Sequence, residues 1–207
     1  MKHELLNGYN LDIHLQLEVL ESIIMSNEII NIAIERARLL DIDDYYDDYY
    51  IGAGCITQTV WNYLSDNPLE YGIKDIDFVY FDDNLDFESE NRIILKVKEL
   101  CSDLKIEVDV KNQARVHLWY KNHFGYNIEP YKSLESALNT WPTTATSIGV
   151  RRGKDNKLKV YAPFGLNDLF GKIVRANKSQ INKQIYEDKV SSWLKKWPDL
   201  KIIPWES

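Results

Sequence analysis

Gly52-Ala53-Gly54, Asp75-Ile76-Asp77 and Glu107-Val108-Asp109 follow one another, in that order, along a chain of 207 residues. A glycine turn lets backbone N–H groups approach a phosphate, and carboxylates are the hard oxygen donors that divalent cations take. Chemistry at phosphorus needs both. A triphosphate and the charge that develops on it have to be neutralised while the reacting groups are held in line. Taken singly, Gly-x-Gly is a tight turn and Asp-x-Asp a pair of acids on a strand end. Their succession, with a helix predicted directly after the turn, gives the chemical reading, because the start of that helix adds a partial positive charge suited to phosphate.

The elements that must position these groups are legible around them. Tyr49, Tyr50 and Ile51 predict a short strand running into the glycine turn, and Thr57 to Leu64 a helix with Val60, Trp61 and Leu64 facing inward. Phe78-Val79-Tyr80-Phe81 predicts a strand carrying Asp75 and Asp77 at its head. Ser89 to Leu100 reads as a helix, with Ile93, Ile94, Val97 and Leu100 on one face. Ile106 to Val110 alternates apolar and acidic residues, the period of a half-buried strand. Residues two apart on a strand share a face, about 6–7 Å apart along the axis. Asp75 and Asp77 can therefore serve one ion or a close pair. If the two strands are neighbours, Asp109, with Glu107 on its face, joins them at one end of a sheet.

Before the turn, Ile13, Leu17, Leu20 and Ile24 mark one helix, and Ile30, Ala33, Ile34 and Ala37 a second, with Ser26-Asn27 as the joint. The run from Asp41 to Tyr50 holds five acids, and reads as a solvated connection because Asp favours neither helix nor strand. Beyond the acids, Ser133 should cap a short helix, and Ser147–Val150 with Leu158–Tyr161 should form a hairpin whose tip carries Arg151, Arg152, Lys154 and Lys157. That tip is either solvated or leans over the phosphates. Asn167 to Phe170 could open a helix. Tyr186, Val190, Trp193, Leu194 and Trp197 predict a last helix with a packing stripe. The fold expected is α/β (α+β): a mixed sheet of about five strands flanked by helices, one domain over 1–207, with N-terminal helices at about 10–40 and a C-terminal helix at about 179–197.

Composition bounds the function. Twenty-five basic against thirty-two acidic residues leave a formal charge of −7, which argues against sequence-blind attraction to nucleic acid. Cys55 and Cys101 have no metal-ligand spacing and no disulfide framework. With no signal-peptide pattern at the N-terminus, a cytoplasmic location is expected. No run is apolar for long enough to cross a bilayer. The 13 Tyr and 6 Trp are read as core and interface area. Arg115 and His117 follow the third acid directly. Arg115 suits bidentate phosphate contact and His117 a proton shuttle. In the plainer alternative Asn112, Gln113 and Arg115 hold the loop by hydrogen bonds and His117 caps a helix. Trp119 and Tyr120 either stack on a base or pack, and packing is the expectation.

Gly52-Ala53-Gly54, Asp75-Ile76-Asp77 and the later strand acid resemble the nucleotidyltransferase fold of the DNA polymerase β superfamily. More narrowly, Ile51 to Gly54, Thr59-Val60-Trp61, the run Asp75 to Asp82, the run Asn112 to Tyr120 and the run Ala162 to Phe170 resemble a family of bacterial nucleotidyltransferase-like proteins, from about residue 50 to about 177. The resemblance implies a nucleotidyltransferase: a nucleoside monophosphate moves from an NTP to a hydroxyl acceptor and pyrophosphate leaves. Mg²⁺ (or Mn²⁺) is then held by Asp75, Asp77 and Asp109, which are also the catalytic acids, with Asp109 orienting and deprotonating the acceptor. Gly52, Ala53, Gly54, Thr57 and Arg115 are the expected nucleotide-binding residues. The superfamily commonly carries serine directly after a glycine of this turn. Here Ala53 follows Gly52 and Cys55 follows Gly54, so Thr57 is the hydroxyl left to replace it. That departure and the acidic charge motivate an alternative, a catalytically inactive nucleotide-binding or regulatory module of the same fold. A metal-dependent phosphoesterase using the same acids ranks third. The acceptor, the preferred base and the oligomeric state are not written in the sequence.

Overall fold

The computed structural model describes residues 7–40 and 49–207. The acidic run read as a solvated connection lies outside them over 41–48. Two helices come first, α1 (Ile13–Ser26) and α2 (Glu28–Ala37), and Asn27 caps the second by accepting from the Ile30 N–H. The buried face of α1 differs from the expected stripe. Gln16, Leu20, Ile23 and Ile24 point inward, whereas Ile13 is 47% exposed. A buried glutamine is tolerated because its amide donates to the Gly8 carbonyl and to Asn167 Oδ1, both at 2.8 Å; an apolar-periodicity rule does not anticipate a polar residue on a core face.

The centre is a five-stranded sheet in the order β3-β2-β1-β4-β5. Its strands are β1 (Tyr49–Gly52), β2 (Asp75–Tyr80), β3 (Glu107–Asn112), β4 (Gly149–Arg152) and β5 (Leu158–Tyr161). The β2–β3 pair is parallel and the other pairs are antiparallel, so the sheet is mixed as expected. Helix α3 (Gly54–Leu64) follows β1, and α4 (Phe87–Leu100) makes the crossover that a parallel pair requires. Asp86 caps α4 by accepting from the Ser89 N–H, so the helix starts before the predicted Ser89.

Alternation along the strands gives the sheet two different faces. Ile51, Ile76, Phe78, Val108, Val110 and Val150 enter the main core beneath the helices, where Tyr49 stacks on Phe78 at 5.2 Å. The opposite face carries Tyr50, Gly52, Asp75, Asp77, Val79, Asp109 and Lys111, with a smaller apolar cluster of Tyr50, Val79, Leu134 and Leu138 at one end. Over this face lie α5 (Val116–Phe124), the short α6 (Leu134–Leu138), capped by reciprocal Ser133 and Ser136 bonds, and the C-terminal α8 (Lys183–Leu194). Between them α7 (Asn167–Phe170) precedes β6 (Ile173–Val174), which pairs with β7 (Lys201–Ile202). The end of α8 is tied to α3. Trp193 and Trp197 meet Trp61 edge-on at 5.5 and 5.6 Å, and Trp197 Nε1 donates to Asn62 Oδ1 at 2.8 Å.

Candidate active site

Register brings the expected acids together. Parallel pairing sets Asp75 opposite Glu107 and Asp77 opposite Asp109, and antiparallel pairing sets Gly52 opposite Asp77. Gly52, Asp77 and Asp109 thus form one row across three strands, on the sheet face away from the main core. Asp75 and Glu107 are exposed at the strand heads, and Asp77 and Asp109 are partly buried.

Burial and neighbouring charges both act on the row. Burial, followed by the charge of Asp75, pushes the Asp77 carboxyl up to about 7, although Lys111 and Lys189 pull it down. Lys111 is ion-paired with Asp109. Burial lowers the pKa of Lys189 on α8, while the charges of Asp77 and Asp75 oppose that drop. Neither lysine was singled out from the sequence. Lys111 lies two residues after Asp109 on one strand face, so period-two reading would have found it. Lys189 has no local signal, because it reaches the acids only through the packing of α8 on α3.

The glycine turn works differently from its simplest reading. Ala53, not a glycine, takes the left-handed backbone, with φ 53°. Its N–H is spent on the Ile148 carbonyl at 2.9 Å. A Cβ on Gly52 would stand 2.6 Å from that carbonyl and 2.9 Å from the Trp141 ring. Gly52 is therefore needed for close packing, whereas a Cβ on Gly54 would meet only the end of the Gln58 side chain. No side chain among the described residues caps α3. Its first N–H groups have no carbonyl within the helix, which is the geometry that receives an anion.

Two expected nucleotide contacts are committed elsewhere. Thr57 is fully buried and donates its hydroxyl to the Ala145 carbonyl at 2.9 Å. Cys55 is also buried. Its thiol donates to the Gly52 carbonyl at 3.2 Å, and burial pushes its pKa up. Arg115 donates to Glu90 at 2.6 Å and to the Leu85 carbonyl, away from the acid row's cleft. Asn112 does hold the loop, accepting from the Asp82 and Ala114 N–H groups. His117 caps nothing, and its Nδ1 is buried with no partner among the described residues. Of the hairpin tip, Arg152 pairs with Glu21 and Glu35 on the N-terminal helices, so it does not lean over the acids.

Beside the row opens a cleft of about 250 Å³ that runs from Ala53 and Asp77 past Lys111 to Trp119 and Trp141. A family model described as Nucleotidyltransferase matches residues 39–202. The chain belongs to the nucleotidyltransferase family. This nucleotidyltransferase is similar to a solved NMR structure described as revealing a CCA-adding enzyme head domain. The TM-score is 0.73, with 23% identity over 90% of this chain and 95% of the other. At that identity the likeness speaks to the fold alone, an α+β arrangement of a mixed sheet with flanking helices. No curated protein sequence matches this nucleotidyltransferase. None of its described helices is long and apolar enough to cross a membrane.

Among the described residues no three His, Cys, Asp or Glu side chains stand as a ready-made metal cage. Mg²⁺ does not ask for one, since it usually binds one or two carboxylates and completes its shell with water and substrate phosphates. The donor set fits such an ion, because Asp77 and Asp109 stand side by side on neighbouring strands, and a divalent cation would offset the burial and the Asp75 charge that raise the Asp77 pKa.

Proposed function

We propose that this nucleotidyltransferase moves a nucleoside monophosphate from an NTP to a hydroxyl acceptor with the help of Mg²⁺ or Mn²⁺, as the DNA polymerase β superfamily does. The observation that carries the reading is the register-fixed row Gly52, Asp77, Asp109 beside the uncapped start of α3. Asp75 and Asp77 would hold the ion, with Asp109 completing the site. When bound, the ion neutralises phosphate oxygens and the charge that develops at the reacting phosphorus. The N–H groups that open α3 at Gly54 receive the outer phosphates. Asp109 orients the acceptor hydroxyl and accepts its proton. The acceptor oxygen bonds to the α-phosphorus, the bond from that phosphorus to the bridging oxygen breaks, and pyrophosphate departs with the bonding pair. Lys111 and Lys189 hold the acids' charge in check until the cation arrives.

The test is D75N and D77N, each read by calorimetry with Mg²⁺ and NTP and by pyrophosphate release in a screen of hydroxyl acceptors. Loss of metal-dependent binding and of release supports the reading. Unchanged binding and release in both variants remove the acids from the mechanism. One observation favours a second reading, an inactive nucleotide-binding module: the Cys55 thiol and the Thr57 hydroxyl are both turned to carbonyls. NTP binding that ignores the metal would select that reading.

A further inference from the structure

The run Asn112 to Tyr120 divides into two sets of residues. Asn112 and Arg115 tie the backbone down through Asp82, Glu90 and Leu85. Gln113, Val116, Trp119 and Tyr120 have the spacing of one helical face, and all four line the cleft beside the acid row. Gln113 is 4% exposed. Its side-chain amide nevertheless makes no hydrogen bond with any described residue, and its polar atoms are not sealed away from the cleft. An amide held in the wall with its donor and acceptor open to the cleft can give both to a ligand without losing a bond inside the protein.

The walls say what kind of partner. Apart from Asp77, Lys111 and Lys189 at the acid end, the described lining residues are neutral, and five of them, Trp119, Tyr120, Phe124, Tyr131 and Trp141, are aromatic. The outer edge of the Trp141 indole comes close enough to Gly52 to forbid a Cβ there, so its ring is held next to the turn that precedes α3. Trp119 is only partly buried and offers a second face. Gln113 lies four residues beyond Asp109 in the chain, about 13 Å if strand spacing held throughout, which is on the scale of a nucleotide. A glutamine amide offers adjacent donor and acceptor, the pattern that pairs with the edge of a base, and aromatic faces stack on a base of any sequence.

We propose that this cleft is a recognition site for an uncharged, planar heterocycle of the nucleobase type, read by the Gln113 amide and stacked on Trp119 or Trp141. The inference rests on the nucleotidyl-transfer reading for its location beside the acids. The heterocycle has two sources, the base of the NTP or a base carried by the acceptor.

The experiment uses the full chain in calorimetry with adenosine, guanosine, cytidine and uridine, and separately with inorganic tripolyphosphate plus Mg²⁺. At least one nucleoside binds the wild type saturably. Q113A weakens that binding about tenfold, roughly 1.4 kcal/mol; W119A also weakens it, and neither variant alters tripolyphosphate binding. Q113N, which keeps the amide but shortens its reach, weakens nucleoside binding too and serves if Q113A does not fold. D77N does the reverse, weakening tripolyphosphate and sparing the nucleoside, so failure of the acid site is read separately from failure of the cleft. Displacement of the nucleoside by NTP assigns the site to the NTP's base. Binding of the nucleoside alongside NTP assigns it to the acceptor. The proposal is overturned if no nucleoside binds at millimolar concentration, or if nucleoside affinity is the same in Q113A and Q113N as in wild type.

Discussion

Replacing Asp77 by Asn removes the charge at the centre of the acid row while keeping the side chain's shape. In the wild type, burial and then the Asp75 charge raise this carboxyl from its ordinary 3.8 to about 7. The difference, 7 − 3.8, is about 3 pH units, and at about 1.4 kcal/mol per unit it corresponds to a ceiling of about 4 kcal/mol. The cleft admits water from one side, which screens the charge, so the working figure is about 2 kcal/mol. The sign follows from proton linkage. The folded state holds a proton that the unfolded state releases, so wild-type stability falls as pH rises from about 4 to about 7 and levels off above. D77N lacks this loss. Urea unfolding of both proteins should give equal stabilities near pH 4, with D77N ahead by about 2 kcal/mol at pH 8. Added Mg²⁺ should narrow the gap by stabilising the wild type more than D77N, because the ion takes the ionised carboxylate. Stability curves that run parallel from pH 4 to 8 would refute the argument, since they would mean Asp77 is as easily ionised folded as unfolded.

Other outcomes follow from the same geometry. G52A should destabilise by about 1–3 kcal/mol in thermal or urea unfolding, because its methyl meets a carbonyl and an indole that cannot both retreat. G54A should leave stability within about 1 kcal/mol, since only the flexible end of Gln58 is in the way, yet weaken NTP binding by crowding the start of α3. The two variants thereby separate the packing role of one glycine from the ligand role of the other. K189M should move the pH midpoint of Mg²⁺ binding upward, because Lys189 holds the Asp77 pKa down. An unmoved midpoint would mean that the lysine does not act on the acids.

Local pattern determined much of this protein. Alternation at Ile106 to Val110, the β-favouring run from Phe78 and the helical spacing at Val97 and Leu100 fixed elements whose stability depends on near neighbours in the chain. Those elements put Asp75, Asp77 and Asp109 on strands whatever the topology. Ser133 as a cap was legible for the same reason, since a cap bonds residues only three apart. The fate of each candidate's polar atoms was not legible. Thr57 and Arg115 have suitable chemistry, but Ala145 and Glu90, distant in sequence, take their hydrogen bonds. Gln113 looked like a loop tie and faces the cleft instead. The residues opposite each acid, and whether one strand presented all its acids to one face, were decided by register. Register is set by pairing between segments dozens of residues apart. Lys189 shows the same limit from the other side. Only the docking of Trp193 and Trp197 on Trp61 brings that lysine to the acids, a long-range contact whose energy no window of sequence contains.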